Sequence, residues 1–239
     1  MLRPFCFVLR TTTDMLTVLA AWLLGVLQGM RHALEPDHVA AVSTLVAEQR
    51  SVRASALYAA AWGLGHAFVL LLVGGVLLAL RTALPDRLMN AFELVVGLML
   101  VVLGLQALGR AAGRRGRQHL SRHHALGADH VHVGKWTMAK RPLLVGAVHG
   151  LAGSGALAAL VMAKLPSWLD GVLFMALFGA GATLGMAMLA GIAGAPLARL
   201  ARTPRGTPVM LALSGALSLV LGVAWGVSAA VRAVGGASQ

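Results

Sequence analysis

The sequence predicts an all-α integral membrane protein with six transmembrane helices, built as two inverted three-helix repeats in which helices one and four are broken. Hydrophobic residues make up 58% of the 239 positions and charged residues 12%, which is too little polar surface for a water-soluble globule. The formal net charge of +12 lies mainly between apolar runs, as in membrane-protein loops. We therefore expect membrane lipid, and no nucleic acid, around the chain.

Six apolar runs account for the predicted helices, because crossing the bilayer takes roughly 20 helical residues. They are residues 15–47 (broken), 54–80, 89–109, 142–164, 168–193 and 208–231. Polar segments separate them, including the charged stretch around Pro85 after the second run. Trp136 and Trp168 lie near predicted helix ends, where interfacial anchors belong.

The chain repeats itself at an offset of 116 to 118 residues. "GMRHAL" from Gly29 aligns with "GAVHGL" from Gly146, "WGLG" from Trp62 with "FGAG" from Phe178, and "GLMLVVLG" from Gly97 with "GALSLVLG" from Gly215. Three matches in order indicate two halves of three helices each. Because three is odd, the second half must cross the membrane in the opposite sense, as in many transporters.

The connecting segments predict the orientation in the membrane. Lys and Arg number 2, 8 and 3 after helices one, three and five, against six in the other segments and tails when Lys164 at the end of helix four is included. The positive-inside rule therefore places the long loop after helix three in the cytoplasm. Both termini then lie on the outer side of the inner (plasma) membrane. The expected divisions are an N-terminal tail 1–14, a first repeat 15–109, a His/Arg-rich loop 110–141, a second repeat 142–231 and a C-terminal tail 232–239. Met1 and Met15 are alternative start positions.

One stretch, "RHALEPDH" at residues 31–38, places polar and charged residues inside the first apolar run. A plain loop between two spanning helices does not fit, because residues 39–47 form only about 14 Å of helix. A single helix over 15–47 would be about 50 Å long, so a break is required. Pro36 supplies the break, since it has no N–H for the carbonyl of His32 and its ring clashes there. The break leaves that carbonyl free and lets His32 and His38 converge.

Charged groups at membrane depth are costly, so they are usually paired or functional. Arg31 and Glu35, four residues apart, are expected to form a compensating structural pair. Asp37 beside two imidazoles, in a chain with one cysteine, matches the ligand preference of Ni²⁺, Co²⁺ or Zn²⁺. His32, Asp37 and His38 are therefore candidate metal ligands.

Both halves carry a histidine followed four residues later by a helix breaker. The positions that correspond at an offset of 117 are His32 and His149, Pro36 and Gly153, and Asp37 and Ser154. Paired broken helices indicate the central site of a transporter. His149 is therefore a candidate metal ligand, as is His66 in the second apolar run, with Ser154 in a secondary role. The alternative for each histidine is a buried imidazole bonded to a neighbouring carbonyl.

The predicted loop holds five imidazoles and a carboxylate in a short stretch. These residues are His119, His123, His124, Asp129, His130 and His132. Histidine-rich tracts bind metal loosely, so metal buffering or sensing is one interpretation. A soluble, arginine-rich connector is the other, and both stay open.

These motifs resemble the signatures of the nickel/cobalt transporter family. "RHALEPDH" fits the H-x4-D-H motif at His32, Asp37 and His38, and "LGHAFVL" resembles the second histidine motif at His66. The resemblance implies an inner-membrane permease for Ni²⁺ or Co²⁺ with these residues at the metal-binding positions. Six helices stand where the classical permeases have eight, and "HGLAGSGAL" from His149 stands where they carry an acidic motif. In these features the chain looks like the shorter, UreH-like branch, for which the direction of transport is open.

The leading interpretation is a secondary transporter with no resident cofactor, no enzymatic activity and no catalytic residues. The sequence has no G-x4-G-K-[ST] motif for ATP, and proton coupling is plausible because histidine must be neutral to bind metal. One alternative is a non-transporting accessory protein that delivers metal through the histidine loop. Another is a histidine-box membrane metalloenzyme. A metallochaperone partner and self-association stay open.

Overall fold

The computed structural model describes residues 19–20, 22–47, 49, 51–117, 140–152, 161, 167–201, 203 and 206–235. All regular structure within these ranges is α-helical, as predicted. The helices are α1 (22–32), α2 (Pro36–Val46), α3 (Val52–Leu80), α4 (Asp86–Arg117), α5 (140–152), α6 (Trp168–Ala201) and α7 (Gly206–Gly235).

Four of the described helices are long and apolar enough to cross a membrane. They are Val52–Leu80, Asp86–Gly113, Trp168–Gly194 and Gly206–Ala233. Large apolar side chains such as Phe68, Leu72 and Leu213 lie exposed on their outer surfaces, where lipid would solvate them. The chain is a membrane protein whose described regular structure is all helical, and four of the predicted apolar runs form these helices.

Several described helices extend beyond the predicted apolar runs, because charged residues mark the membrane surface and not the end of a helix. α4 continues through residues 110–117, which were assigned to the loop, since Ala and Arg are good helix formers. α6 extends to Ala201 and α7 to Gly235, into the predicted C-terminal tail. The tail 1–14, the predicted break at Gly153 and Ser154, and the loop histidines lie outside the described residues.

The first apolar run is broken where Pro36 predicted. α1 ends at residue 32, residues 33–35 turn, and Pro36 begins α2, a position where its missing N–H costs nothing. Glu35 before it is extended, with φ −63° and ψ 146°, as a residue preceding proline prefers. The expectation of a free His32 carbonyl is wrong, because the backbone N–H of Glu35 donates to it at 3.0 Å in a tightened turn.

The long helices pack as two antiparallel pairs, α3 with α6 and α4 with α7. Along the first pair, Gly179 lies against Ala67 and Gly194 lies against Ser55, so the two helices run in opposite directions. Small residues at such contacts let the two backbones approach closely.

The closest contacts between helices occur in pairs, and the two contacts of a pair involve residues that correspond in the two halves of the sequence. A Cβ added to Gly29 would lie 2.0 Å from the carbonyl oxygen of Phe178, and one added to Gly146 would lie 1.9 Å from that of Trp62. A second pair joins Gly65 to Leu143 and Gly181 to Val26. In both pairs, each position in one half corresponds to a position in the other half at an offset of 116 or 117.

In the contact between α4 and α7, the residues that meet at the centre correspond to each other in the two halves, at an offset of 118. Ser218 donates a hydrogen bond to the carbonyl of Leu100 at 2.9 Å, across a sequence separation of 118. Gly97 meets Gly222 on one side of this bond, and Gly104 meets Gly215 on the other. The helices therefore cross around a point where equivalent residues of the two halves meet.

Candidate metal site

Four helical segments bring the five predicted metal ligands into one buried group. His32 ends α1, Asp37 and His38 lie in the first turn of α2, His66 lies midway along α3, and His149 lies in α5. Across the break before Pro36, the rings of His32 and His38 have centroids 4.2 Å apart. The carboxylate of Asp37 also lies at the positive end of the α2 dipole, which favours its charge.

His38 is at the centre of the group. Its ring centroid lies 4.3 Å from that of His149 and 5.2 Å from that of His66. The ligand atoms form two sets whose members lie within 4.8 Å of one another, and His38 belongs to both. One set is His32, His38 and His66, and the other is Asp37, His38 and His149.

Burial distinguishes the members of the group. His38, His66 and His149 are 1%, 0% and 2% exposed, and Asp37 is 7% exposed. The side chain of His32, at 15% exposure, is the most accessible of the five. Within the described residues, His32 is therefore the least shielded ligand of the group.

Asp37 joins the two halves of the chain through its two oxygens. Its Oδ1 accepts a hydrogen bond from Nδ1 of His38 at 3.0 Å, and its Oδ2 accepts one from Nε2 of His149 at 2.9 Å. The second bond spans 112 residues in sequence. These bonds fix the orientation of both rings, as carboxylates do for histidines that bind metal ions.

Glu35 holds the remaining accessible histidine. Its Oε2 lies 3.0 Å from Nδ1 of His32, whereas the sequence suggested a pair with Arg31. The i,i+4 spacing assumed for that pair requires a continuous helix, and the turn at 33–35 instead directs Glu35 to His32. The carboxylate therefore has an orienting role at the site.

Five imidazole nitrogens in the described part of the site are buried without a hydrogen-bond partner. They are His32 Nε2, His38 Nε2, both nitrogens of His66, and His149 Nδ1. An unpaired buried polar atom costs about 1–3 kcal/mol. A divalent ion that prefers imidazole would satisfy several of these atoms together.

Two aromatic rings that the sequence reasoning missed line the site. Phe178 lies 5.2 Å from His32, and Trp62 lies 5.3 Å from His149, between ring centroids. The sequence feature that could have identified them is the match of "WGLG" with "FGAG", in which Trp62 and Phe178 correspond at an offset of 116. Each aromatic ring thus covers a histidine of the other half.

Fold and site together define an all-helical membrane protein with a buried histidine and carboxylate group able to hold a metal ion. Over 211 residues the chain is 33% identical to the urease accessory protein UreH of Bacillus sp. (strain TB-90), covering 88% of this chain and 92% of that protein. The chain belongs to the UreH-like family, and the predicted resemblance to that branch is confirmed. No family model matches the chain, and no solved structure matches it.

Proposed function

We propose that this protein is a secondary transporter that moves Ni²⁺ or Co²⁺ across the inner membrane through its histidine and aspartate site. The observation that carries the proposal is the buried cluster of unpartnered imidazole nitrogens around His38. A buried cluster with free ligand atoms is costly for a purely structural core. It is suited to an ion that enters, exchanges water for imidazole, and leaves.

Two inverted repeats provide the movement in this proposal. The paired glycine contacts at constant offset, and the self-related contact of Ser218 with Leu100, support six helices related by an axis in the membrane plane. The two halves rock against each other around the site, so that it faces one side and then the other. The excess of Lys and Arg in residues 110–141 supports an orientation with this loop in the cytoplasm and both termini outside.

The chemistry of the site supports the choice of ion. Imidazoles with one carboxylate suit borderline divalent ions, whereas Mg²⁺ and Ca²⁺ prefer sites made of oxygen atoms. The resemblance to nickel/cobalt transporters selects Ni²⁺ or Co²⁺ among the borderline ions. The ion is the cargo, and the site residues have binding roles only.

The test is Ni²⁺ flux into proteoliposomes that contain the full-length protein and a trapped metal-sensitive dye. His38→Ala removes the ligand shared by both sets and should lower flux about tenfold or more. Ser228→Ala, which removes an exposed hydroxyl bonded to its own helix, should retain wild-type flux. Equal flux in wild type, His38→Ala and empty vesicles would refute the proposal.

A metal-delivery accessory role is the second candidate function, because the relative is named as a urease accessory protein. Deletion of residues 118–133 separates the two functions. A transporter keeps its vesicle flux without this segment. An accessory protein that passes metal through the loop histidines shows no wild-type flux and loses metal transfer on deletion.

A further inference from the structure

The site offers more ligand atoms than one small ion needs, and they fall into two sets. The first set, His32, His38 and His66, comes entirely from the first half of the chain. The second set, Asp37, His38 and His149, spans both halves. A single ion does not require this division.

The two sets also differ in access and in existing bonds. The first set includes His32, the most exposed member, and each of its imidazoles has an unpartnered nitrogen. The second set is buried throughout. Its imidazoles also have unpartnered nitrogens, His38 Nε2 and His149 Nδ1, but both oxygens of Asp37 already accept hydrogen bonds. An ion therefore meets only imidazoles with a free nitrogen in the first set, whereas in the second set it competes with the hydrogen bonds of Asp37.

We propose that the two sets are successive ion positions, a first position at His32, His38 and His66 and a second at Asp37, His38 and His149. This inference rests on the proposed transport function and deepens it. The ion passes between the positions with His38 as a ligand in both. It is therefore never released from all its protein ligands during the passage.

The charges and the two halves of the chain give the order of the positions. The first position has three imidazoles and no carboxylate, and it accepts a partly hydrated ion at His32, the least buried ligand. The second adds the negative charge of Asp37, which offsets one charge of the ion where burial is deepest. Because His149 belongs to the second half, the second position is complete only while the halves are together. The first position persists when they separate.

The experiment counts imidazole ligands around Ni²⁺ bound to the purified full-length protein, using X-ray absorption. His66→Ala removes a ligand of the first position only, and His149→Ala removes one of the second only. His38→Ala serves as the blank for Ni²⁺ bound elsewhere on the chain, and Ser228→Ala is the folded control. His66→Gln and His149→Gln replace any alanine variant that does not purify as a folded protein.

Two successive positions predict Ni²⁺ bound through two imidazoles in His66→Ala and through three in His149→Ala. Flux should fall by a factor of about ten or more in both variants. A single site with all five ligands predicts three imidazoles in each variant. Three imidazoles in each variant would overturn the inference. So would Ni²⁺ binding that falls to the level of His38→Ala, or wild-type flux, in either variant. Absence of flux in the wild type would refute the transport function itself, whatever the ligand counts are.

Discussion

Replacing Gly146 by alanine should pull the imidazole of His149 out of the site. The added methyl would lie 1.9 Å from the carbonyl oxygen of Trp62, and real contacts do not fall below 3.0 Å, so α5 and α3 must separate by at least the difference of 1.1 Å. His149 lies one turn along the same helix, where side chains share a face. A displacement of this size along the 2.9 Å bond from His149 to Asp37 would lengthen it beyond hydrogen-bonding distance.

The expected result for Gly146→Ala is a Ni²⁺ flux about tenfold lower and an unfolding free energy lower by about 1–3 kcal/mol from overpacking. Proteoliposome flux and denaturation in detergent measure the two effects. Gly75→Ala is the matched control, because a Cβ there meets nothing within 4 Å. Wild-type flux and stability in Gly146→Ala would refute the close contact on which this reasoning depends.

Three further substitutions test separate parts of the structure. Gly29→Ala places a methyl 2.0 Å from the carbonyl oxygen of Phe178 and should weaken Ni²⁺ binding about tenfold in a titration of purified protein; unchanged affinity would contradict the contact. Glu35→Ala leaves Nδ1 of His32 unpartnered and should weaken Ni²⁺ binding by about 10–100-fold. The unfolding free energy should stay constant, since Glu35 is half-exposed. An unchanged Ni²⁺ affinity in the titration would exclude an orienting role for Glu35. Ser218→Ala should lower the unfolding free energy by about 0.6–1.7 kcal/mol without changing Ni²⁺ affinity, and an affinity loss would show that the α4 and α7 contact reaches the site.

The sequence predicted the break in the first helix because two independent constraints met there. The apolar run is too long for one span, and Pro36 cannot continue the hydrogen-bond ladder. The partner of Glu35 was not predictable in the same way, because spacing rules assume a continuous helix and the turn at 33–35 changes its direction. The extent of α4 was missed for a different reason, since arginines that leave the membrane remain good helix formers.

The aromatic residues of the site were hidden by their surroundings. In a chain that is 58% hydrophobic, Trp62 and Phe178 look like any other side chains packed within apolar helices. Only the repeat distinguishes them, because each lies at the equivalent position of its half. Internal symmetry was thus a stronger guide to the site than composition.

The packing between the halves is repeated, but the ligands are not. Gly29 and Gly146 make equivalent close contacts, whereas the counterparts of Asp37 and His66 in the second half are Ser154 and Ala182. The second half therefore contributes one of the five ligand residues, His149. On the proposed mechanism, separating the halves at the site breaks the hydrogen bond between Asp37 and His149 and removes one ligand, while three imidazoles stay in place. The ion exchanges ligands one at a time, which keeps the cost of dehydration low while the protein changes the side to which the site opens.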